Sequence, residues 1–147
     1  MRDRPARSRP RVLLALAAVV ALGLLSRRFP LPGVFAEHTG DALYTVAAFF
    51  ACALLLPALR PATLATLAFG LSAAVEFAQL LNWPWLQELR GNRWAALVLG
   101  QGFQWADLLA YLVGASVAFA VDRALAARMY ALGNKSGGVG PAAPSDR

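Results

Sequence analysis

The chain has 147 residues, of which 59% are apolar and only 15% are charged, and its mean hydropathy is +0.52. A soluble domain typically contains about 25% charged residues, so this composition argues against an ordinary soluble globule. The single cysteine, Cys52, excludes an intrachain disulfide and a CxxC zinc site, and the single histidine, His38, excludes a His-rich metal site. We therefore expect one small membrane domain with no metal ion and no cofactor.

The N-terminal segment is the first candidate membrane span. A basic, proline-containing tail over residues 1–11 precedes an uncharged run over residues 12–26, which ends at Arg27 and Arg28. Arginine side chains at a helix end can reach the interface and extend a short span. A cleaved secretory signal peptide is the alternative, since the basic start and the Ala-Leu-Gly tripeptide at 21–23 are typical of one. Because further apolar runs follow, we favour an uncleaved span.

Three more apolar runs follow, and crossing a bilayer takes about 20 residues. Residues 29–40 contain two prolines and two glycines and are expected to form a loop. Pro61 suits the first turn of a helix, whereas Pro84 should end one. The predicted fold is an all-α integral membrane protein with four transmembrane helices and a Trp-rich loop between helices 3 and 4. Its segments are a basic tail over 1–11, a membrane domain over 12–123 with spans at about 12–28, 42–59, 62–82 and 104–121, and a tail over 124–147, disordered towards its end.

The distribution of basic residues predicts the orientation. With both termini in the cytoplasm, ten of the 14 basic residues lie inside and four lie outside, as the positive-inside rule requires. The loop with the four tryptophans is then at the outer interface, where an aromatic belt or a stacking surface for a sugar or lipid headgroup would suit it. Basic residues on the inner face would contact anionic lipid headgroups, and this accounts for the high pI of the chain. We therefore expect membrane lipid as a partner and no nucleic acid.

Three acidic residues come together at the outer side in this topology. Asp41 and Asp107 would lie near helix N-termini, where a carboxylate accepts backbone hydrogen bonds. Glu76 has no such explanation, because an acid inside a span costs about 2.5–3.5 kcal/mol and needs a polar partner. The candidate binding residues of this outward polar pocket are Asp41, Glu76, Gln79, Arg90, Asp107 and Tyr111, with Arg93 as a further cation for Glu76. A buried polar cluster that fixes helix packing is the alternative.

Small residues recur every fourth position on two spans. Thr66, Gly70 and Ala74 form one row, and Ala110, Gly114 and Ala118 form another. Such rows let helices approach closely, within the chain, with a partner helix or in a homo-oligomer.

The order of several motifs resembles a known bacterial family. Gly40-Asp41 opens a span, Glu76-Phe77-Ala78-Gln79 lies in the next, Arg90 follows, and Leu99-Gly100-Gln101-Gly102-Phe103 and Asp107-Leu108-Leu109-Ala110-Tyr111 precede Gly114. This order resembles the family catalogued as domain of unknown function 2809, over roughly residues 12–121, and is more distantly similar to VanZ-like proteins. The VanZ-like pattern has an asparagine in the region where this chain has Tyr111. The resemblance implies the fold, the polar positions and a bacterial inner membrane, but no reaction.

The functional expectation is accordingly limited to binding. No nucleophile–base set and no phosphate-binding loop is visible, so we predict no catalytic residue. The first hypothesis is an outward-facing pocket that engages an envelope lipid or a lipid-linked envelope precursor carrying a glycan. The second is a structural or accessory subunit without its own chemistry. A proton- or ion-coupled carrier is disfavoured because no charged residue lies in the inner halves of the spans.

Overall fold

The structure is a computed structural model that describes residues 7–29, 32–81, 83–99 and 103–136. Expectations for residues 1–6, for the Gly100–Gly102 segment and for the tail over 137–147 lie outside these ranges. The described ranges contain helices and no strand, which confirms the all-α fold class. The helices are α1 Arg9–Arg28, α2 Val34–Leu55, α3 Pro61–Ala78, α4 Pro84–Gly91, α5 Arg93–Leu99 and α6 Trp105–Ser136.

Four of these helices have segments long and apolar enough to cross a membrane, as the sequence predicted. At 1.5 Å per residue, 18–20 residues approach the roughly 30 Å thickness of a hydrocarbon core. The predicted orientation, with both termini inside, stays a prediction. The candidate spans are Arg9–Arg28, His38–Leu55, Pro61–Ala78 and Trp105–Ala131.

The second long helix differs from the sequence expectation at both ends. It begins at Val34, inside the predicted loop, directly after Gly33, whose φ of 68° is a conformation that glycine adopts readily. It ends at Leu55, four residues before the predicted end, because Pro57 lacks an N–H donor and restricts the residue before it. Asp41 therefore lies two turns inside α2. The expectation that Asp41 lies at a helix N-terminus is wrong.

The segment between the third and fourth spans is largely helical. Pro84 occupies the first turn of α4, and α5 follows after Asn92, whose side-chain oxygen accepts a hydrogen bond from the backbone N–H of Trp94 at 2.9 Å. The four tryptophans of this region, Trp83, Trp85, Trp94 and Trp105, are each more than half exposed. The Trp-rich connection thus consists of two short helices with exposed indoles, and its membrane depth stays a prediction.

Helix α2 is the centre of the packing, since it contacts α1, α3 and α6. Within the described ranges the backbone of α1 approaches α2 alone, and the Arg11 side chain of α1 contacts Met129 of α6. Phe49 and Phe50 pack edge to face at 5.4 Å between ring centroids. Gly114 of α6 lies so close to α2 that an added Cβ would be 2.3 Å from the Ala42 carbonyl oxygen. The fourth-span row of small residues is therefore used within the chain, and all three of its members are buried.

One end of the bundle is held by Arg7, which precedes α1. Its Nε and one terminal nitrogen donate to the two carboxylate oxygens of Asp122, each at 2.9 Å. Its other terminal nitrogen donates to the carbonyl oxygens of Pro57 and Leu59, at 2.9 and 2.8 Å. The guanidinium thus joins the start of α1, the α2–α3 turn and α6 at this end.

Candidate functional site

The opposite end of the bundle contains a cavity of about 1080 Å³. The last turns of α1 and α3 meet the early turns of α2 and α6 here because consecutive spans run antiparallel, and α5 forms a further wall. We call this space the polar cavity. Five of the six predicted binding residues line it, namely Asp41, Glu76, Gln79, Asp107 and Tyr111.

Glu76 is fully buried and fully provided with donors. Its Oε1 accepts the backbone N–H of Gln104 at 2.6 Å, and its Oε2 accepts the Gln79 side-chain amide and the Tyr111 hydroxyl, each at 2.9 Å. These contacts link α3 to the start of α6. Two of the three donors, Gln79 and Tyr111, were among the residues predicted to share a pocket with Glu76. The third donor, the backbone N–H of Gln104, could not be predicted from the types of side chain. Through these hydrogen bonds Glu76 connects α3 to α6.

Arg90 does not contact Glu76, contrary to the sequence expectation. It is 8% exposed, and its terminal nitrogens donate to the carbonyl oxygens of Ala78 at 2.9 Å and Leu81 at 3.4 Å. Its Nε is buried without a hydrogen-bond partner in the described part of the chain. The last carbonyls of a helix lack intrahelical partners, so the end of α3 offers acceptors to this guanidinium. Arg90 is therefore a capping residue outside the polar cavity.

A second polar cluster lies beside Glu76. The His38 Nδ1 lies 3.2 Å from the Asp107 Oδ1, and one ligand atom from each of His38, Asp41 and Asp107 lies within 4.8 Å of the others. His38 and Asp41 are three residues apart on α2 and so share a helix face. The sequence analysis missed His38 because it placed that residue in a loop. The spacing of His38, Asp41 and Thr45 is the helical signal that would have found it.

The rim of the cavity is basic and aromatic. Arg27 and Arg28 at the end of α1 and Arg93 at the start of α5 line it, and Trp94 lies beside Arg93, whose guanidinium is 6.0 Å from the ring centroid. None of the three arginines forms an ion pair with an acid within the described ranges. The cavity therefore presents guanidinium donors at its rim and carboxylates on its wall.

A buried hydroxyl pair lies next to the cavity, between α2 and α3. The Thr45 hydroxyl donates to the Ser72 hydroxyl oxygen at 2.9 Å, and both residues are fully buried. The pair satisfies two polar groups that apolar surroundings would penalise. It contributes to helix packing and offers no free nucleophile to the cavity.

Comparison with known proteins identifies a family and no solved structure. A family model described as "Protein of unknown function (DUF2809)" matches residues 30–115, which cover the second and third spans, the helices α4 and α5 and the first part of α6. No solved structure matches the chain. The match spans more than half of the sequence and includes the residues that form the polar cavity, except those of α1. The chain belongs to the DUF2809 family.

Proposed function

We propose that the polar cavity binds the phosphate-bearing headgroup of an envelope lipid or of a lipid-linked glycan, at the outer face of a bacterial inner membrane. The observation that carries the proposal is the set of three cavity arginines, Arg27, Arg28 and Arg93, without ion-pair partners among the described residues. Guanidinium groups bind phosphate oxygens through paired, charge-assisted hydrogen bonds. Their position at one end of the spans is the depth at which a lipid phosphate lies.

The other side chains of the cavity suit the rest of such a headgroup. Trp94 at the rim offers an apolar ring face with a polar edge, which suits both the interface and a sugar ring. Asp41 and Asp107 can accept hydrogen bonds from glycerol or sugar hydroxyls. Glu76 is already occupied by three donors, so its role in this proposal is to hold α3 and α6 in position.

Lipid binding can be tested by native mass spectrometry of the full chain released from detergent micelles. The probes are phosphatidylglycerol, a polyprenyl-diphosphate sugar and, as a lipid without phosphate, diacylglycerol. We expect a bound phosphate-bearing lipid that persists on activation, and the better-retained probe identifies whether the source is a phospholipid or a glycan carrier. Equal retention of diacylglycerol would contradict the proposal.

Matched arginine variants test where the lipid binds. Replacing both Arg27 and Arg28 by Gln should reduce lipid retention at least about tenfold, since each lost charge-assisted hydrogen bond is worth about 1.5–3 kcal/mol. Replacing both Arg123 and Arg128 by Gln removes two exposed arginines of α6 and is the charge-matched control. Equal loss in both variants would indicate nonspecific attraction. A strain lacking the gene, with each variant restored, would then be tested for growth under envelope stress, including glycopeptide antibiotics.

An accessory-subunit function is the second candidate. The observation in its favour is the row Thr66, Gly70 and Ala74 on α3, all exposed, where a Cβ added at Gly70 would meet nothing within 4 Å. Such a row can receive a partner helix. Under this function Gly70→Leu should abolish association in the membrane, measured by crosslinking, while the arginine variants leave growth unchanged.

A further inference from the structure

The cluster of His38, Asp41 and Asp107 has the composition of a metal site. It joins one imidazole to two carboxylates, contributed by α2 and α6, and it lies partly or fully out of solvent. The sequence-based exclusion of metals considered only Cys-rich and His-rich sites, and a mixed set of one histidine and two aspartates escapes that reasoning. Such a set presents both nitrogen and oxygen ligands.

The hydrogen bonding of the two aspartates leaves acceptor capacity unused. The Asp107 side chain is only 10% exposed, and within the described ranges its one side-chain contact is His38 at Oδ1. The Asp41 carboxylate receives no hydrogen bond from any residue that the structure describes. Asp107 and Glu76 repel it, and Arg27 and His38 attract it from a distance. It also lacks the helix N-terminus that would have stabilised it, since α2 begins at Val34. Of these two neighbouring carboxylates, Asp107 thus has one donor, His38, and Asp41 has none among the described residues.

We propose that His38, Asp41 and Asp107 bind one divalent transition-metal ion, Zn²⁺ or Mn²⁺, on the wall of the polar cavity. Metal–ligand bonds of about 2.0–2.2 Å place adjacent ligand atoms roughly 3.0–3.5 Å apart. The 3.2 Å between His38 Nδ1 and Asp107 Oδ1 already has that value, and the remaining separations, up to 4.8 Å, close by side-chain rotation. Imidazole favours transition metals over Mg²⁺ and Ca²⁺, whereas two carboxylates favour the harder members of that series.

The metal-free arrangement shows how the ion would be accommodated. A carboxylate only accepts, so the His38 Nδ1 carries the proton that it shares with Asp107. Binding replaces this N–H···O contact with two metal–ligand bonds, and the neutral imidazole then carries its proton on Nε2. Asp41 and Asp107 both line the polar cavity, so the remaining coordination positions face open space, where water or a phosphate oxygen can bind.

Metal binding is measured in the absence of any added lipid, so this inference stands or falls separately from the proposed function. The full chain, purified in a nonionic detergent without a polyhistidine tag and stripped with EDTA, is titrated with Zn²⁺ by calorimetry. Mn²⁺ is titrated separately, with loss of the free-ion signal in electron paramagnetic resonance as the readout. We expect one ion per chain for at least one metal. Fewer than about 0.1 equivalents of both metals would overturn the proposal.

Three isosteric variants locate the site. Asp41→Asn, Asp107→Asn and His38→Gln should each weaken binding by at least about tenfold, since even loss of a residue that only orients a ligand costs about 10–100-fold. Glu88→Gln, which removes an exposed acid of α4, should bind like wild type. Circular dichroism confirms that each variant keeps its helix content. Unchanged affinity in both aspartate variants, or an equal loss in Glu88→Gln, would show that the ion binds elsewhere and would refute the assignment.

Discussion

Gly114 is the position at which the packing of α2 on α6 can be tested most directly. A Cβ at this position would be 2.3 Å from the Ala42 carbonyl oxygen, 3.0 Å from the Ala42 carbonyl carbon and 3.1 Å from its Cα. All three atoms belong to the backbone, so no side chain can rotate away. To reach ordinary van der Waals distance, the two helices would have to separate locally by about 1 Å in an interior without free space.

The expected cost follows from this overlap. Inserting a methyl group into a packed interior that must shift its backbone costs about 1–3 kcal/mol. Gly70→Ala is the matched control, because a Cβ at Gly70 meets nothing within 4 Å. Alanine is better than glycine inside a helix by roughly 0.5–1 kcal/mol, so this control should be slightly stabilised. The same helix gain applies to Gly114→Ala, so the two variants should differ in free energy of unfolding by the cost of the overlap alone, about 1–3 kcal/mol.

Unfolding of both variants by sodium dodecyl sulfate in mixed micelles, followed by circular dichroism, measures the difference. Gly114→Ala should unfold at a lower mole fraction of the denaturing detergent than wild type, and Gly70→Ala at the same or a higher one. Since Ala42 is next to Asp41, the separation of the helices should also move Asp41 away from Asp107 and weaken the repulsion between their carboxylates. If the two variants unfold together, the close approach of α2 and α6 is not a determinant of stability.

Two further predictions concern the Glu76 contacts and the orientation. Tyr111→Phe removes one of the three donors to Glu76 and should cost about 1.5–3 kcal/mol in the same detergent titration, whereas Tyr130→Phe, at an exposed residue, should cost nothing measurable. Equal stabilities would contradict the hydrogen bond. In a cysteine-free background, Glu88→Cys should react with a membrane-impermeant thiol reagent in intact cells, and Arg128→Cys only after lysis. The reverse pattern would place the polar cavity on the cytoplasmic side.

The four apolar helices and the grouping around Glu76 could be predicted because both depend on simple regularities. Apolar runs of sufficient length predict spans, and antiparallel succession brings the end of one span beside the start of the next. Gln79 was predicted because it lies three residues after Glu76, and Tyr111 because it lies four residues after Asp107. Each prediction required only chain order and helical periodicity.

Two features were not predicted because the sequence offers more than one solution for each: the residue at which α2 begins and the acceptor that binds Arg90. The start of the second span was predicted at Ala42, directly after the charged Asp41. The helix begins earlier, after Gly33, and its first turns contain polar residues that face the cavity. That error moved His38 into a loop and hid its contact with Asp107. Arg90 was assigned to Glu76 by charge alone. The carbonyl oxygens at the end of α3 are acceptors for the same guanidinium, and they bind it.

The contact between Arg7 and Asp122 has a consequence for the biosynthesis of this protein. The two residues are separated by 115 positions, so Arg7 acquires its carboxylate partner only after most of the last span has been synthesised. Chains emerge from the ribosome N-terminus first, so the hairpin of α1 and α2 can assemble early, with Arg7 bonded to the Pro57 and Leu59 carbonyl oxygens before its carboxylate partner is made. Closure of the bundle at this end is then the final step of insertion. Chains truncated before Asp122 would retain all of α2 and α3 but lack the carboxylate that binds Arg7 to α6.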